Sequence, residues 1–166
     1  MNAFLAFGAA IMMSTAADSW LPVNDGVMGG VSSGEMIDIE YGMQFHGTLS
    51  LENNGGFSSV RHLVREDLSN STGIRLTIKG DGRSYQFRIR QDGRFDGIAW
   101  RQEFQTDGSV QTLELKYADC MPVWRGRLVR DAGRIDAAQI KQIGFLIADK
   151  RPGDFELSIF KIEVSI

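Results

Sequence analysis

Apolar and polar residues alternate through most of the chain, and this alternation constrains the fold more than any other feature. Successive side chains of an extended strand point to opposite faces, so a period of two predicts strands with one buried and one polar face. Short runs with this period recur along the chain, and we interpret each as a strand. The runs cover residues 43–51, 74–78, 85–89, 98–104, 113–117, 155–159 and 162–166.

Glycine-containing turn signals separate these runs. The chain has 19 Gly among 166 residues, which exceeds the average usage of about 7%. Residues 80–82, Gly-Asp-Gly, are predicted to join the runs on either side as a β-hairpin. The change of parity between Ile159 and Ile162 predicts a β-bulge. The other turn signals lie at residues 53–56, 91–93, 106–108 and 151–154.

Helical periodicity is confined to residues 135–143, where Asp136 is a suitable N-cap for a helix of about two turns. Short strands, regular turns and one short helix predict an all-β fold, an antiparallel β-sandwich of jelly-roll type. The chain has no internal repeat, linker or low-complexity stretch. We therefore predict a single domain over residues 1–166.

The rest of the composition excludes several functional classes. Cys120 is the one cysteine, so no internal disulfide is available, and one Cys with two His cannot complete a four-ligand Cys/His zinc site. The net charge of −3 argues against a dedicated nucleic-acid-binding protein. No apolar stretch approaches the roughly 20 residues of a transmembrane helix, so we do not expect an integral membrane protein.

The N-terminal segment has two interpretations. Residues 2–17 are largely apolar and end in small residues, which is typical of a secretory signal peptide. However, no Lys or Arg precedes the apolar stretch, and the first region of a signal peptide is normally positive. We therefore predict a strand over residues 3–7, a loop leading to Trp20, and a cytoplasmic protein. Cleavage of residues 1–17 would instead mean that the protein is exported.

Three glycine-containing blocks, residues 20–32, 55–61 and 80–85, exceed what a sandwich requires. Glycine pairs permit unusual backbone conformations and close approach. We hypothesise that the three blocks form one loop-lined surface that binds a polar ligand or a partner protein. The alternative explanation is local turn chemistry with ordinary salt bridges. The candidate binding residues are Trp20, Asn24, Asp25, Val27, Met28, Ser32, Arg61, Asp81 and Tyr85.

The same blocks carry a family resemblance. Residues 23–32, Val-Asn-Asp-Gly-Val-Met-Gly-Gly-Val-Ser, resemble the opening signature of the complex I intermediate-associated protein family. Residues 55–61 and 80–85 resemble the second and third blocks of that family. Two later segments, residues 121–127 and 143–155, resemble it as well. The resemblance therefore extends in the same order from Trp20 to the end of the chain.

This resemblance implies a galactose-binding-like jelly roll, similar to that of carbohydrate-binding modules. The best-known members of the family are non-catalytic factors that assist the assembly of respiratory NADH:ubiquinone oxidoreductase in mitochondria. Some relatives join this domain to a dinucleotide-binding domain, but no G-x-G-x-x-G follows a strand here. An Arg-rich transit segment is also missing, so the chain resembles the bare domain of a bacterial protein. We expect a protein-binding assembly factor, and the alternative is a carbohydrate or small-ligand binding module.

No constellation of residues predicts an enzyme. His46 lies within a strand run and His62 at a strand end, and neither accompanies the Gly-x-Ser-x-Gly elbow of a serine hydrolase. Cys120 is predicted to be a buried structural thiol. We expect no cofactor and no catalytic metal. A structural calcium would need converging oxygens, for which the candidates are Asp25, Asp81 and Asp154.

Arginine outnumbers lysine by 13 to 5. The planar guanidinium makes bidentate contacts that lysine cannot make, so one interpretation is a basic face for an acidic protein or a phosphate ligand. The other, which we favour, is cross-strand ladders with Asp and Glu. The basic residues concerned are Arg75, Lys79, Arg88, Arg90, Arg94, Arg101, Arg125, Arg127, Arg130 and Arg134. If the ligand is a glycan, the aromatic residues available for stacking are Trp20, Trp100 and Trp124.

Overall fold

The computed structural model describes residues 11–166, so the strand predicted over residues 3–7 lies outside the described residues. The described chain is an all-β jelly roll, as the alternation predicted. Its strands are β1 (Leu21–Asn24), β2 (Ser33–Ile39), β3 (Gly42–Leu49), β4 (Ser58–Leu63), β5 (Gly73–Lys79), β6 (Ser84–Arg90), β7 (Ala99–Gln105), β8 (Val110–Lys116), β9 (Met121–Trp124), β10 (Arg127–Leu128), β11 (Gln142–Ile147) and β12 (Gly153–Ser165).

The strands form two antiparallel sheets that pack face to face. One sheet has seven strands in the order β1-β4-β11-β6-β7-β9-β10. The other has five strands in the order β2-β3-β12-β5-β8. Strands that follow one another along the sequence are therefore often in different sheets, and β11, β6 and β7 form the middle of the seven-stranded sheet.

The core lies between the sheets and consists of the inward-facing residues of the alternating runs. In β5, Ile74, Leu76 and Ile78 are fully buried, while Arg75 between them points outward. Burying such an aliphatic side chain contributes about 1.5–3 kcal/mol. Aromatic rings join the two sheets, as where Tyr85 meets residues of the five-stranded sheet edge to face. This burial explains why the alternation predicts the fold class so well.

The hairpin predicted at residues 80–82 is not formed. Strand β5 pairs with β12 and β8, whereas β6 pairs with β11 and β7, so the Gly-Asp-Gly segment crosses from one sheet to the other. A second crossing segment packs against it, since a Cβ on Gly80 would lie 2.3 Å from Cβ of Thr106. Two consecutive strands bury their apolar faces in the same core whether they share a sheet or face each other. The alternation of apolar and polar residues therefore could not distinguish a hairpin from a crossing between the sheets.

The helix predicted over residues 135–143 is reduced to a 3-10 turn at Ala137–Gln139. Asp136 is its N-cap, as predicted, and accepts a hydrogen bond from the backbone N of Ala138 at 3.1 Å. The chain is extended again at Ile140, which packs into the core, and then enters β11. All helices of the described residues are such short turns, and none is long or apolar enough to cross a membrane.

The β-bulge predicted near the C-terminus is confirmed. Ile159 of β12 pairs with Ile78, but the next paired residue is Lys161, which faces Thr77. One extra residue in β12 therefore shifts its register against β5. This shift returns Ile162 to the core face after the bulge.

Candidate functional site

The first glycine-containing block folds around the carboxylate of Asp25, which is fully buried. Its oxygens accept hydrogen bonds from the backbone N of Ser32 at 2.9 Å, from Oγ of Ser32 at 2.6 Å and from the backbone N of Gly56 at 2.7 Å. Burial alone would raise the pKa of Asp25, but these hydrogen bonds outweigh it and hold the pKa below its usual value. One carboxylate thus joins the first block to the second.

The packing around Asp25 explains two of the glycines. A Cβ on Gly30 would lie 2.4 Å from Cγ of Asp25, and a Cβ on Gly55 would lie 2.5 Å from its Oδ2. Real Cβ atoms do not approach other heavy atoms this closely, so both positions require glycine while Asp25 stays in place. The glycines of the two blocks make room for a buried side chain of the same protein.

Three further candidate residues also lie inside the fold. Asn24 donates to the backbone O of Gly34 at 3.1 Å and accepts from Oγ of Ser58 at 2.6 Å, which ties β1 to β2 and β4. Trp20 is buried and stacks on His62 with ring centroids 5.0 Å apart. Ser32 is buried against Asp25. These contacts are structural, because they join strands and loops within the fold.

The third block forms a separate network. Arg83 is buried and pairs with Asp149 at 2.6 Å. Asp81 accepts from the hydroxyl of Tyr85 at 3.1 Å and from the backbone N of Glu156 at 2.8 Å. Tyr85 is fully buried, and burial followed by the nearby Asp81 raises the pKa of its phenol. The structure therefore does not bring Asp81 and Tyr85 together with Arg61.

A groove of about 810 Å³ crosses the outer face of the seven-stranded sheet. Strands β4, β11 and β6 form its floor, and loops before β2, after β3 and between β6 and β7 form its rim. Asp25, Val27, Met28 and Arg61 all line it, so the structure brings these four candidate residues together. Val27 and Met28 are largely exposed there, as is Phe95 from the β6–β7 loop.

Strand register places arginines across the floor. Arg61 of β4 and Arg88 of β6 both face Gly144 of β11, which stands between them. With strands about 4.8 Å apart, their Cα atoms are about 10 Å apart. A Cβ on Gly144 would lie 2.7 Å from the backbone O of Val60, so this position requires glycine and no side chain separates the two arginines.

Arg61, Arg88 and Arg90, here called the arginine cluster, have no carboxylate partner. None of the four ion pairs found among residues 11–166 includes any of them. Burial and the neighbouring Arg90 lower the pKa of Arg61 to about 10, despite Asp96. Burial, Arg90, Arg101 and Arg61 lower the pKa of Arg88 to about 10. The cluster thus consists of two half-buried cations, Arg61 and Arg88, and one buried cation, Arg90, whose charges repel one another.

Neutral acceptors hold the cluster in position. Arg61 donates to the backbone O of Phe95 at 2.6 Å and lies over the Phe95 ring, 5.1 Å from its centroid. Arg90 donates to the backbone O of Gly97 at 2.6 Å. Arg88 donates twice to Oε1 of Gln86, at 2.9 and 3.0 Å. These bonds orient the guanidinium groups, whose charge is partly offset at longer range by Asp92, Asp96 and Glu103.

At the rim, Asp96 pairs with Arg125 at 2.6 Å, and Arg125 in turn lies 4.8 Å from the ring centroid of Trp124. Asp96 is exposed, whereas Asp25 is buried beneath the groove. The groove therefore presents mostly positive charge on a protein whose net charge is −3. Its charged lining residues are Arg61, Arg88, Arg90, Arg125 and Lys150 with Asp25 and Asp96.

The described residues show no arrangement for acid–base or nucleophilic catalysis at the two histidines or the cysteine. His62 is buried, with Nδ1 3.0 Å from the backbone O of Ser19, and His46 meets Glu35 on the outer face of the other sheet. Cys120 is buried, as predicted, and burial raises the pKa of its thiol to about 11. Within residues 11–166, no group of three or more His, Cys, Asp or Glu side chains could hold a metal ion.

Sequence reasoning did not place Arg88 and Arg90 in the site. The interpretation that we favour from the sequence places them with Arg75 in cross-strand ion pairs. Arg75 does pair with Glu114 of the neighbouring strand at 2.9 Å. The alternation of apolar and polar residues along this strand indicated that Arg88 and Arg90 point outward. Nothing in the sequence indicated that Arg61 lies beside them, and Phe95 carried no signal at all.

The family model of Complex I intermediate-associated protein 30 (CIA30) matches residues 10–159 of the chain. This protein belongs to the CIA30 family. No curated protein sequence matches this CIA30-family chain. The match spans the three glycine-containing blocks, so the resemblance noted in the sequence is confirmed.

Solved structures similar to this CIA30-family protein include carbohydrate-binding modules from Clostridium thermocellum. A family 11 module in complex with a β-1,3-1,4-mixed-linked tetrasaccharide is 18% identical, with a TM-score of 0.69 over 94% of this chain and 95% of that chain. A family 30 module of the cellulase Cel9D-Cel44B is 10% identical, with a TM-score of 0.62 over 95% of this chain and 98% of that chain. At these identities the likeness shows the jelly-roll fold.

Proposed function

We propose that this protein is a non-catalytic binding module that holds part of a partner protein in its groove while a protein complex is assembled. Respiratory NADH:ubiquinone oxidoreductase is the complex that the family name suggests. The observation that carries the proposal is the groove itself, in which exposed apolar side chains border the arginine cluster, half-buried at Arg61 and Arg88 and buried at Arg90. Apolar patches bordered by polar groups mark protein interaction sites, and arginine is enriched in them.

The contact residues that we propose are Val27, Met28 and Arg61, joined by Arg88 and Phe95. In this proposal Trp20, Asn24, Asp25 and Ser32 support the loops that present Val27 and Met28. Methionine suits such a position because its flexible side chain adapts to irregular surfaces.

Met28→Asp tests this function. Met28 is 70% exposed, so the change should cost less than about 0.5 kcal/mol of folding stability. A charge in the apolar rim should nevertheless abolish recovery of the partner, measured by affinity purification from the protein's own cells with mass spectrometry. Val110→Asp is the matched control, since Val110 is 61% exposed on the other sheet. Undiminished recovery with Met28→Asp would refute the site, and loss of folding would make Met28 a structural residue.

A carbohydrate-binding function is the second candidate, and the fold shared with carbohydrate-binding modules supports it. Of the three tryptophans, Trp20 and Trp100 are buried, which leaves Trp124 and Phe95 to stack against a sugar. The test is a glycan microarray that includes mixed-linkage glucans, with Phe95→Ala and Trp124→Ala as variants. Binding that both variants lose would support this function, and no binding to any glycan would remove it.

A further inference from the structure

We propose that the groove recognises an extended acidic peptide, whose carboxylates bind the arginine cluster and whose apolar side chains contact Val27, Met28 and Phe95. This inference rests on the proposed function, since the peptide is the part of the partner protein that the groove holds. It adds the chemical class of the ligand and the residues that select it.

The unpaired charge of the cluster is the first argument. Each guanidinium has five N–H donors, of which Arg61 and Arg90 each use one on protein acceptors and Arg88 uses two. Burying cations that have no directly paired anion is unfavourable, as the lowered pKa values of the three arginines reflect. A carboxylate would relieve their mutual repulsion and form charge-assisted, bidentate hydrogen bonds with the free donors.

The spacing of the arginines is the second argument. Arg88 and Arg90 are two residues apart on β6 and point to the same outer face, so they are separated by about 6.7 Å along the strand. Side chains at alternate positions of an extended peptide have the same spacing. An acidic residue would therefore meet Arg88, and another two positions along would lie over Arg90, which is itself only 8% exposed. Arg61 lies across from Arg88 on the far side of Gly144, which has no side chain, and would contact the same peptide from its other side.

The apolar rim distinguishes a peptide from a smaller anion. Val27, Met28 and Phe95 are 61%, 70% and 58% exposed, and all three line the groove with the cluster. A free phosphate or a single uronic acid would bind the arginines and leave this apolar surface in water. A peptide that alternates acidic and apolar residues satisfies both surfaces. The positive groove on a protein of net charge −3 would also direct an acidic segment to this face.

The experiment measures fluorescence anisotropy of two short labelled peptides, one alternating Glu with Leu and one with Gln in place of each Glu. We expect the wild-type protein to bind the Glu peptide at least about tenfold more tightly. Arg61→Gln and Arg88→Gln should each lose most of this preference, and Arg88→Lys should recover only part of it because lysine cannot bind bidentately. Affinity for the Glu peptide should fall as salt rises from about 50 to about 200 mM.

Two further variants separate a specific effect from a general one. Arg75→Gln removes the same charge on the other sheet and should leave binding unchanged. Asp96→Asn removes an exposed anion at the rim and should tighten binding of the Glu peptide severalfold, without burying or opening any core residue. Circular dichroism and thermal melts of each variant confirm that it is folded.

The outcomes distinguish this inference from the proposed function. Equal binding of both peptides, or tighter binding of the Gln peptide, overturns acidic recognition but keeps a peptide-binding groove. Displacement of the Glu peptide by inorganic phosphate or oligogalacturonate at equal concentration overturns the peptide as the preferred ligand. If neither the peptides nor peptides selected from a random phage library bind, while a glycan does, both proposals fail.

Discussion

The side chain of Asp25 shows how a single residue sets the local structure of two loops. Every group directed at its carboxylate is a hydrogen-bond donor, and three of the donors belong to the backbone. The ionised carboxylate accepts from all of them, whereas an amide would direct its own donors at some of them. Gly30 and Gly55 pack directly against it. Both the charge and the shape of the Asp25 side chain therefore determine the structure of the two loops.

We predict that Asp25→Asn lowers the free energy of unfolding by about 2–3 kcal/mol at pH 7, because buried N–H groups lose their acceptor. The pKa of Asp25 is lowered in the folded protein, so its stabilising effect is present above the unfolded-state pKa of about 3.9. It is lost as the pH falls through the folded-state pKa. The difference between wild type and variant should thus shrink below about pH 4. Urea unfolding at pH 7 and at pH 3 measures it, and a constant difference would contradict the assignment.

The connecting segments are the elements whose structure depends most on side chains. The turn between β11 and β12 carries Asp149 and Arg151, and Arg83 from the start of β6 binds it through a buried ion pair. Arg83 also donates to the backbone O atoms of Arg151, Gly153 and Asp154. Hydrogen bonding with Asp149 raises the pKa of Arg83, and despite burial the same pairing lowers the pKa of Asp149. One arginine thus fixes an entire turn.

We predict that Arg83→Met costs about 3–5 kcal/mol, because it leaves Asp149 as an unpaired buried charge. The double variant Arg83→Met, Asp149→Leu should recover a large part of this loss, since no unpaired charge then remains. Hydrogen exchange at residues 149–154 should accelerate in both variants because the backbone O atoms of this turn lose their donor. A double variant no more stable than Arg83→Met would show that the carboxylate contributes little.

At the scale of the whole molecule, both sheets share one core. Phe45 and Phe155 of the five-stranded sheet contact each other and both reach Tyr85 of the seven-stranded sheet. Separating the sheets would expose all of these rings at once. The prediction of a single domain over residues 1–166 is therefore best tested by the cooperativity of unfolding.

Cys120 offers a probe of that cooperativity. The thiol is buried and its pKa is raised to about 11 by burial, so a thiol reagent should react with the native protein only after opening. We predict that the labelling rate rises with urea in parallel with global unfolding measured by fluorescence. Rapid labelling that does not depend on urea would indicate local opening around Cys120, and two separate unfolding transitions would argue for two domains.

The sequence predicted what depends on side-chain alternation and missed what depends on which strands become neighbours. Residues 74–78 and 85–89 form strands with the expected buried faces, and the bulge after Ile159 is present. The predicted hairpin between the two strands is absent, since each strand pairs within a different sheet. The alternation could not reveal this, because a strand buries the same face whether its neighbour lies in the same sheet or in the facing one. Pairing partners are set by contacts between residues far apart in the sequence, and one sequence does not reveal these.

The composition of the candidate site also depends on which strands become neighbours, so the sequence could indicate only some of its residues. Of the residues predicted to share one surface, Val27, Met28 and Arg61 line the same groove. Asp81 and Tyr85 belong to a separate network, because their loop crosses between the sheets. Arg88 joins Arg61 only through the insertion of β11 between β4 and β6. Glycine-rich blocks marked the surroundings of the site, since glycine is needed where loops pack closely on Asp25.

The residues that support the loops around Asp25 are different from those that line the groove floor, and this has a consequence for protein engineering. The buried carboxylate and its glycines hold the loops from below, while Arg61 and Arg88 project from strand positions whose inward neighbours already secure the sheet. We expect outward strand positions of this kind to tolerate replacement together, because no core contact is lost. For the binding function proposed above, libraries for new ligands would therefore randomise the floor of the groove and leave the family signature unchanged.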